Sequence, residues 1–170
     1  MKTVSQNQDN SLGPGDEYFM AEALKEAYQA AEAAEIPVGA VLVLDHQIIA
    51  RAHNRPIAAV DPTAHAEMEV LRQGAKALGN YRLSACRLYV TLEPCLMCAG
   101  ALLHARIAEL IMGTCDEKSG AICSRVQVLA YPWINHQISI KSGVLEEQCR
   151  AVLQNFFRER RETQKSGNKL

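Results

Sequence analysis

The chain has 170 residues, of which 48% are hydrophobic and 22% charged, and its formal net charge is −1. That balance belongs to one folded domain and excludes a disordered chain or a uniformly basic nucleic-acid binder. No apolar run approaches the roughly 20 residues of a membrane helix, and residues 1–15 carry neither a long apolar stretch nor an arginine, so the expectation is a cytoplasmic protein without a membrane partner. Charge is unevenly spread. Residues 16–35 hold six acids and one base, 70–92 hold four bases and no acid, and 158–169 hold five bases against two acids. Such asymmetry can make one face attractive to phosphate, or simply solvate helix faces.

Residues 1–15 read as a disordered polar leader, residues 16–162 as one domain and 163–170 as a flexible basic tail. Within the domain, Asp16 is expected to cap a helix over 16–35, whose apolar positions Met20, Leu24, Ala27, Ala31 and Ala34 recur at helical spacing. Residues 38–44 and 47–52 are β-rich and flank Asp45-His46, a hairpin pattern. Residues 53–62 contain two prolines and read as a loop. Thr63 is expected to cap a second helix over 63–78. A third strand is predicted at 87–92, a third helix at 94–104 with Pro94 in its first turn, and a fourth strand at 107–112 ended by Gly113. A long loop, a weak strand at 136–140 and a terminal helix over 146–162 complete the chain. Strands on either side of a helix imply a parallel crossover, so the fold class is α/β: a three-layer α/β/α arrangement around a five-stranded mixed sheet.

The chemistry concentrates at two helix starts. Cys95 and Cys98, spaced i, i+3, put two sulfurs on one helix face, where the N-terminus favours thiolates. Alone, that pair could be half of a structural zinc site, a redox pair or chance. Cys86, Cys115, Cys123 and Cys149 read as small buried hydrophobes, and no disulfide framework is expected without a secretion signal. His65 can supply a third ligand, leaving one position of a tetrahedral zinc for water, as in a catalytic rather than a structural site. Zinc lowers the pKa of its water towards about 7, and Glu67, two residues beyond His65, is the candidate carboxylate to move that proton. On a regular helix, side chains two residues apart point about 200° from each other, so both can face one metal only if the first turn is irregular. His65-x-Glu67 with Pro94-Cys95-x-x-Cys98 matches the zinc-dependent nucleobase deaminase signature, which leaves the identity of the base open.

The stretches IPVGAVLV (36–43), NRPI (54–57), DPTAHAE (61–67), LYVTLEPC (88–95) and FFRERR (156–161) go further: from about residue 21 to 161 the chain resembles the bacterial tRNA-specific adenosine deaminase family. The resemblance implies a cytidine deaminase-like fold, one Zn2+ per subunit, hydrolysis of adenosine to inosine at the wobble position of a tRNA anticodon, and a homodimer. By position, His65, Cys95 and Cys98 would hold zinc and Glu67 would shuttle protons. Asn54 would hydrogen-bond the purine, and Pro37, Val38 and Leu92 would line the base pocket. Asp116 and Lys118 would lie beside the RNA, and Phe157, Arg158 and Arg160 would contact the anticodon loop. Without the resemblance, Phe156 and Phe157 both read as core residues. Cys115 and Glu117 stand where the best-known members carry arginine and alanine, and Ile122-Cys123 replaces two small residues. Two other readings stand beside this one. One is a deaminase of a free base or nucleoside such as guanine or cytosine, which would not need the terminal arginines; the other is a non-catalytic RNA-binding subunit with structural zinc.

Overall fold

Side-chain alternation along three strands sets the architecture. Strand β1 (Gly39–Leu44) sends Ala40 and Leu42 to one side and Val41 and Val43 to the other, and all four are buried. β3 (Arg87–Leu92) and β4 (Glu109–Thr114) repeat the pattern, with Leu88, Val90, Leu110 and Met112 on the first side and Tyr89 and Ile111 on the second. Strands buried on both faces need a helix layer on each. The second side receives α1 (Asp16–Glu32) and α5 (Glu146–Gly167), through Phe19, Met20, Ala23 and Ala27 of α1 and Cys149 and Val152 of α5. The first side receives α3 (Ala66–Leu78) and α4 (Leu96–Ala105), through Val70, Leu71, Ala99 and Leu102. Burying each large apolar side chain here contributes roughly 1.5–3 kcal/mol. The structure is a computed structural model that describes residues 13–167. Most of the expected leader, residues 1–12, and the last three residues of the expected tail lie outside it.

The sheet order is β2-β1-β3-β4-β5, with β2 (Gln47–His53) and β5 (Ser139–Lys141) at the edges. β1 pairs antiparallel with β2 and β3, whereas β3–β4 and β4–β5 are parallel. The predicted α/β/α mixed sheet is therefore the observed one. Asp45 and His46 both adopt positive φ, 48° and 60°, as a two-residue hairpin turn demands.

Several boundaries differ from the sequence expectations, each for a tertiary reason. Gly15, not Asp16, is the N-cap of α1. The Asp16 carboxylate is drawn instead to the Tyr89 hydroxyl and Arg87, each at 2.8 Å, and to Lys141. Burial would raise its pKa, but the hydrogen bonds from Lys141 and Tyr89 and the two cationic charges lower it. α1 stops at Glu32, and Glu35 turns inward, where its buried carboxylate accepts the Ala58 N–H at 2.8 Å. That N–H belongs to a short helix, α2 (Pro56–Ala59), inside the expected loop. Gly113 does not end β4 but lies within it: a Cβ there would stand 2.3 Å from Cys149 Sγ and 2.7 Å from the Thr91 carbonyl oxygen. Only glycine lets α5 approach so closely. α5 runs to Gly167, beyond the expected end near residue 162, and β5 starts at Ser139 rather than His136.

Candidate active site

The candidate residues gather at one end of the sheet. β3 and β4 run parallel, so both leave the sheet at the same end, with Leu92 opposite Thr114. The antiparallel β1 begins at that end and β2 finishes there, with Gly39 opposite His53. Pro37, Val38, Asn54, Leu92, Glu93 and Cys115 are thereby brought to one end of the sheet from separate stretches of chain. The carboxyl ends of parallel strands are the usual place for ligands in α/β sheets.

The helix that follows β2 starts later than its sequence suggests. Thr63 does not cap it: Asp61 Oδ1 accepts both the Thr63 N–H and its hydroxyl at 2.8 Å, closing a turn before the helix. The N-cap of α3 is His65, in extended backbone at φ −75° and ψ 154°. Glu67 is the second residue of the helix proper. The 200° divergence of a regular helix therefore does not apply, because His65 precedes the helical backbone. The Ala66 N–H, which a local cap would normally satisfy, donates to Asn54 Oδ1 at 2.8 Å. The Asn54 N–H in turn donates to the Val38 carbonyl at 3.0 Å, tying the start of β1 to the start of α3.

α4 repeats the device. Cys95 is its N-cap, in extended backbone, and Cys98 is the third helical residue. His65 Nδ1 lies 3.7 Å from Cys95 Sγ and 3.6 Å from Cys98 Sγ. A tetrahedral zinc with Zn–S near 2.3 Å and Zn–N near 2.0–2.1 Å separates its sulfur and nitrogen ligands by roughly 3.6 Å. The three side chains fit a metal ion in donor chemistry and in spacing. Hydrogen bonds from the Cys98 thiol and His65 pull Cys95 down to about 4, although burial opposes them. Cys98 is pushed up by its bond to Cys95 and by burial, and His65 is raised by its bond to Cys95. Such shared protons are those a dication displaces on binding thiolates and a neutral imidazole.

Glu67 is buried, and burial pushes its carboxyl up to about 7, against the pull of its own backbone N–H. It hydrogen-bonds the Cys98 thiol, so it adjoins the three-residue group directly. Val38 and Leu92 join Ala66 and Ala99 in one apolar cluster, and Pro37 is buried beside Val38. The structure does not bring the remaining candidates into contact with this cluster. Asp116 spends its carboxylate on its own loop, accepting from Lys118 N–H, Ser119 N–H and the Ser119 hydroxyl. Lys118, Arg158 and Arg160 are exposed. Phe156 and Phe157, both expected in the core, separate: Phe156 is buried under Arg160 and Phe157 is 40% exposed.

One residue of the site is not singled out by the sequence. Glu93, at the exit of β3, is 2% exposed and accepts five hydrogen bonds. They come from the N–H groups of Asp116, Ile122, Cys123 and Ser124 and from the Ser124 hydroxyl. Burial alone would raise its pKa, yet the bonds from Cys123, Ser124 and Asp116 pull it down to about 2. The carboxylate anchors the loop over 115–124 against α4, where Gly120 also bridges to Cys95. A Cβ on Gly120 would stand 2.3 Å from the Glu93 carboxylate, so only glycine admits the anchor. A lone acid at a strand end gives no sequence signal of donors 23 to 31 residues away.

Residues 15–161 match the MafB19-like deaminase family. The chain is 47% identical over 154 residues to a tRNA-specific adenosine deaminase of Bacillus subtilis (strain 168), covering 91% of this chain and 96% of the relative. It is 52% identical over 151 residues to a tRNA-specific adenosine deaminase of Haemophilus influenzae (strain ATCC 51907 / DSM 11121 / KW20 / Rd), covering 88% and 87%. A solved structure from work on A-to-I editing by tRNA:A34 deaminases at the wobble position of transfer RNA superposes with a TM-score of 0.78 at 47% identity, covering 80% of this chain and 99% of that one. Identity of this size over most of both chains, on a fold that sets two cysteine sulfurs and an imidazole beside a buried acid, means that the chain belongs to the tRNA-specific adenosine deaminase family.

Proposed function

We propose that this protein hydrolyses adenosine to inosine at the wobble position of a tRNA anticodon, with His65, Cys95 and Cys98 holding one zinc ion per subunit. The observation that carries this reading is the meeting of His65 Nδ1 with both sulfurs at 3.6–3.7 Å beside the buried Glu67. Zinc, when bound, supplies Lewis-acid activation of water at neutral pH. Glu67 would take one proton from the attacking water and deliver it to the ring nitrogen next to the amino-bearing carbon. It would then carry the second proton, from the hydroxyl added to that carbon, to the departing amine, so that adenosine and water become inosine and ammonia. Burial disfavours the charged carboxylate, which helps Glu67 take up a proton before passing it on.

Asn54 orients the base. Its Oδ1 is committed to Ala66, which leaves its amide NH2 to donate to a purine ring nitrogen. Pro37, Val38 and Leu92 form the apolar wall against which the ring packs. The adenosine leaves a single-stranded loop, so flipping it out costs little stacking. Phe157, Arg158 and Arg160 on α5 and Lys118 on the 115–124 loop offer an aromatic face and cationic groups to the anticodon loop. The catalytic unit is residues 16–162, and it acts as a cytoplasmic homodimer. Leu96, 62% exposed at the start of α4, is apolar surface for the second copy. Among the described residues no helix is long and apolar enough to cross a membrane.

The test is a single-turnover assay on purified protein with an anticodon stem-loop carrying wobble adenosine, and with free adenosine, guanine and cytosine. Inosine from the stem-loop alone supports the reading. Turnover of a free base alone would keep the zinc chemistry and reject the tRNA substrate.

A further inference from the structure

Cys115 and Cys123, both expected in the core, are exposed, whereas Cys86 and Cys149 are buried as expected. Cys115 leaves the end of β4 and Cys123 lies near the far end of the same loop. Their Sγ atoms are 3.7 Å apart, van der Waals contact for two sulfurs. The pair does not meet by chance. Glu93 binds the N–H of Cys123 and the N–H of Asp116, next to Cys115, so one buried carboxylate holds both ends of the loop together.

With Glu93 the two sulfurs form a group of three metal-capable side chains. Its geometry argues against a metal. Glu93 Oε1 already accepts three N–H groups, and Oε2 accepts the Asp116 N–H and the Ser124 hydroxyl. No carboxylate lone pair is left for an ion, and two thiols fall short of the four ligands a closed zinc site takes. Two exposed, apposed thiols without a metal have a different chemistry available.

We propose that Cys115 and Cys123 are a redox modification site that interconverts between dithiol and disulfide, with a peroxide or a low-molecular-weight disulfide as oxidant. Closing the bond takes the sulfurs from 3.7 Å to about 2.05 Å, within reach of side-chain rotation and a small loop shift. Partial desolvation and the hydrogen bond to Cys115 push the Cys123 thiol up to about 11, which disfavours Cys123 as the attacking sulfur. With hydrogen peroxide, the Cys115 thiolate attacks one oxygen and breaks the O–O bond, giving a sulfenic acid and, after protonation, one water. Cys123 then displaces the sulfenic oxygen as a second water. Two thiols lose two electrons and two protons, and the peroxide is reduced. With glutathione disulfide, Cys115 first forms a mixed disulfide and releases one glutathione; Cys123 releases the second. The cross-link closes the loop that carries Asp116 and Lys118 and bridges Gly120 to Cys95.

The experiment needs no substrate, so it stands apart from the tRNA reading. Zinc-loaded full-length protein is equilibrated in mixtures of reduced and oxidised glutathione, alkylated, digested and mapped by mass spectrometry. The expected result is a Cys115–Cys123 cross-linked peptide pair, two hydrogens lighter, that forms and is lost reversibly with the glutathione ratio while zinc content stays constant. It should persist in Cys86→Ser and vanish in Cys115→Ser and in Cys123→Ser, exposed positions at which the fold tolerates serine. The proposal is overturned if both thiols stay alkylatable in fully oxidised glutathione, or if they form only separate mixed disulfides. It is equally overturned if Cys95–Cys98 is the only disulfide found, or if a second equivalent of zinc binds and is absent from the Cys115→Ser variant.

Discussion

Replacing Glu93 by Gln keeps the size of the side chain and removes its charge. The carboxylate is 2% exposed and its titration moves from 4.5 to about 2. At 1.36 kcal/mol per pH unit, that shift corresponds to about 3 kcal/mol of stabilisation at neutral pH. Counting five hydrogen bonds to a charged acceptor at roughly 1.5–3 kcal/mol each would give a larger figure, but a neutral side chain keeps some of those bonds. The smaller figure is therefore the better measure of the charge. The Gln NH2 would also face donors, since Oε2 meets an N–H and a hydroxyl and Oε1 meets three N–H groups. We expect Glu93→Gln to lose about 3 kcal/mol at pH 7, a fall in Tm of roughly 6–12 °C for a domain of this size. Because the folded-state pKa is depressed, the wild-type advantage is full above about pH 4.5 and is lost as pH falls towards 2. The gap between the two proteins should close over that window in urea titrations at a series of pH values. A variant within about 0.5 kcal/mol of the parent at pH 7, the range of an ordinary surface substitution, would refute the anchor role of Glu93.

Glu67→Ala should retain zinc by metal analysis and lose roughly 10²- to 10⁴-fold in single-turnover rate; a normal rate would reject the proton-shuttle role. Asn54 separates two functions. Asn54→Asp keeps an acceptor for the Ala66 N–H, so stability should hold while base binding weakens, whereas Asn54→Ala should also lose about 1 kcal/mol of helix capping in a denaturant titration. If the Asp variant binds and turns over like the parent, the Asn54 amide does not meet the base. Asp16→Asn should destabilise at pH 7 and match the parent at low pH, because a depressed pKa confers stability only above the unfolded value near 3.8 and loses it as pH falls through the folded one. Arg158→Ala and Arg160→Ala should each weaken stem-loop binding and flatten its salt dependence by roughly 0.7 in log–log slope for each phosphate no longer neutralised; unchanged slopes would remove α5 from the RNA surface.

What the sequence discloses and what it hides follow from how local each signal is. The donor set is legible because ligand type and i, i+3 spacing are local properties of Cys95 and Cys98. Strand alternation and the Asp45-His46 turn are local too, so the sheet is readable. The start of α3 is not. A local rule favours Thr63 as cap, but Asp61 binds Thr63, and the acceptor for the first helical N–H comes from Asn54, twelve residues upstream. Glu93 and Asp16 are hidden for the same reason: their partners arrive from distant parts of the chain. Periodicity cannot separate Phe156 from Phe157, because adjacent residues on a helix differ by only 100°, and packing against the sheet decides which is buried. The cysteines of the 115–124 loop defeat composition, which favours burial for a free cysteine, while the Glu93 anchor turns Cys115 and Cys123 to solvent.

The non-local cap on α3 has a chemical consequence. A Ser, Asp or Asn at an N-cap ordinarily spends its side-chain acceptor on the helix's own N–H groups. His65 makes no such bond, and Asn54 makes it instead. The imidazole is thereby free to turn Nδ1 towards the two sulfurs. Two helix starts, α3 and α4, then converge on one point, each bringing the equivalent of about half a positive charge. Those partial charges favour the thiolates of Cys95 and Cys98 and lie next to the carboxylate of Glu67 in the first turn of α3. A donor set placed in helix interiors would lack that compensation and would require deprotonating two sulfurs beside a buried acid. The packing of α3 against α4 on one face of the sheet therefore prepares the electrostatics of the site as well as its geometry.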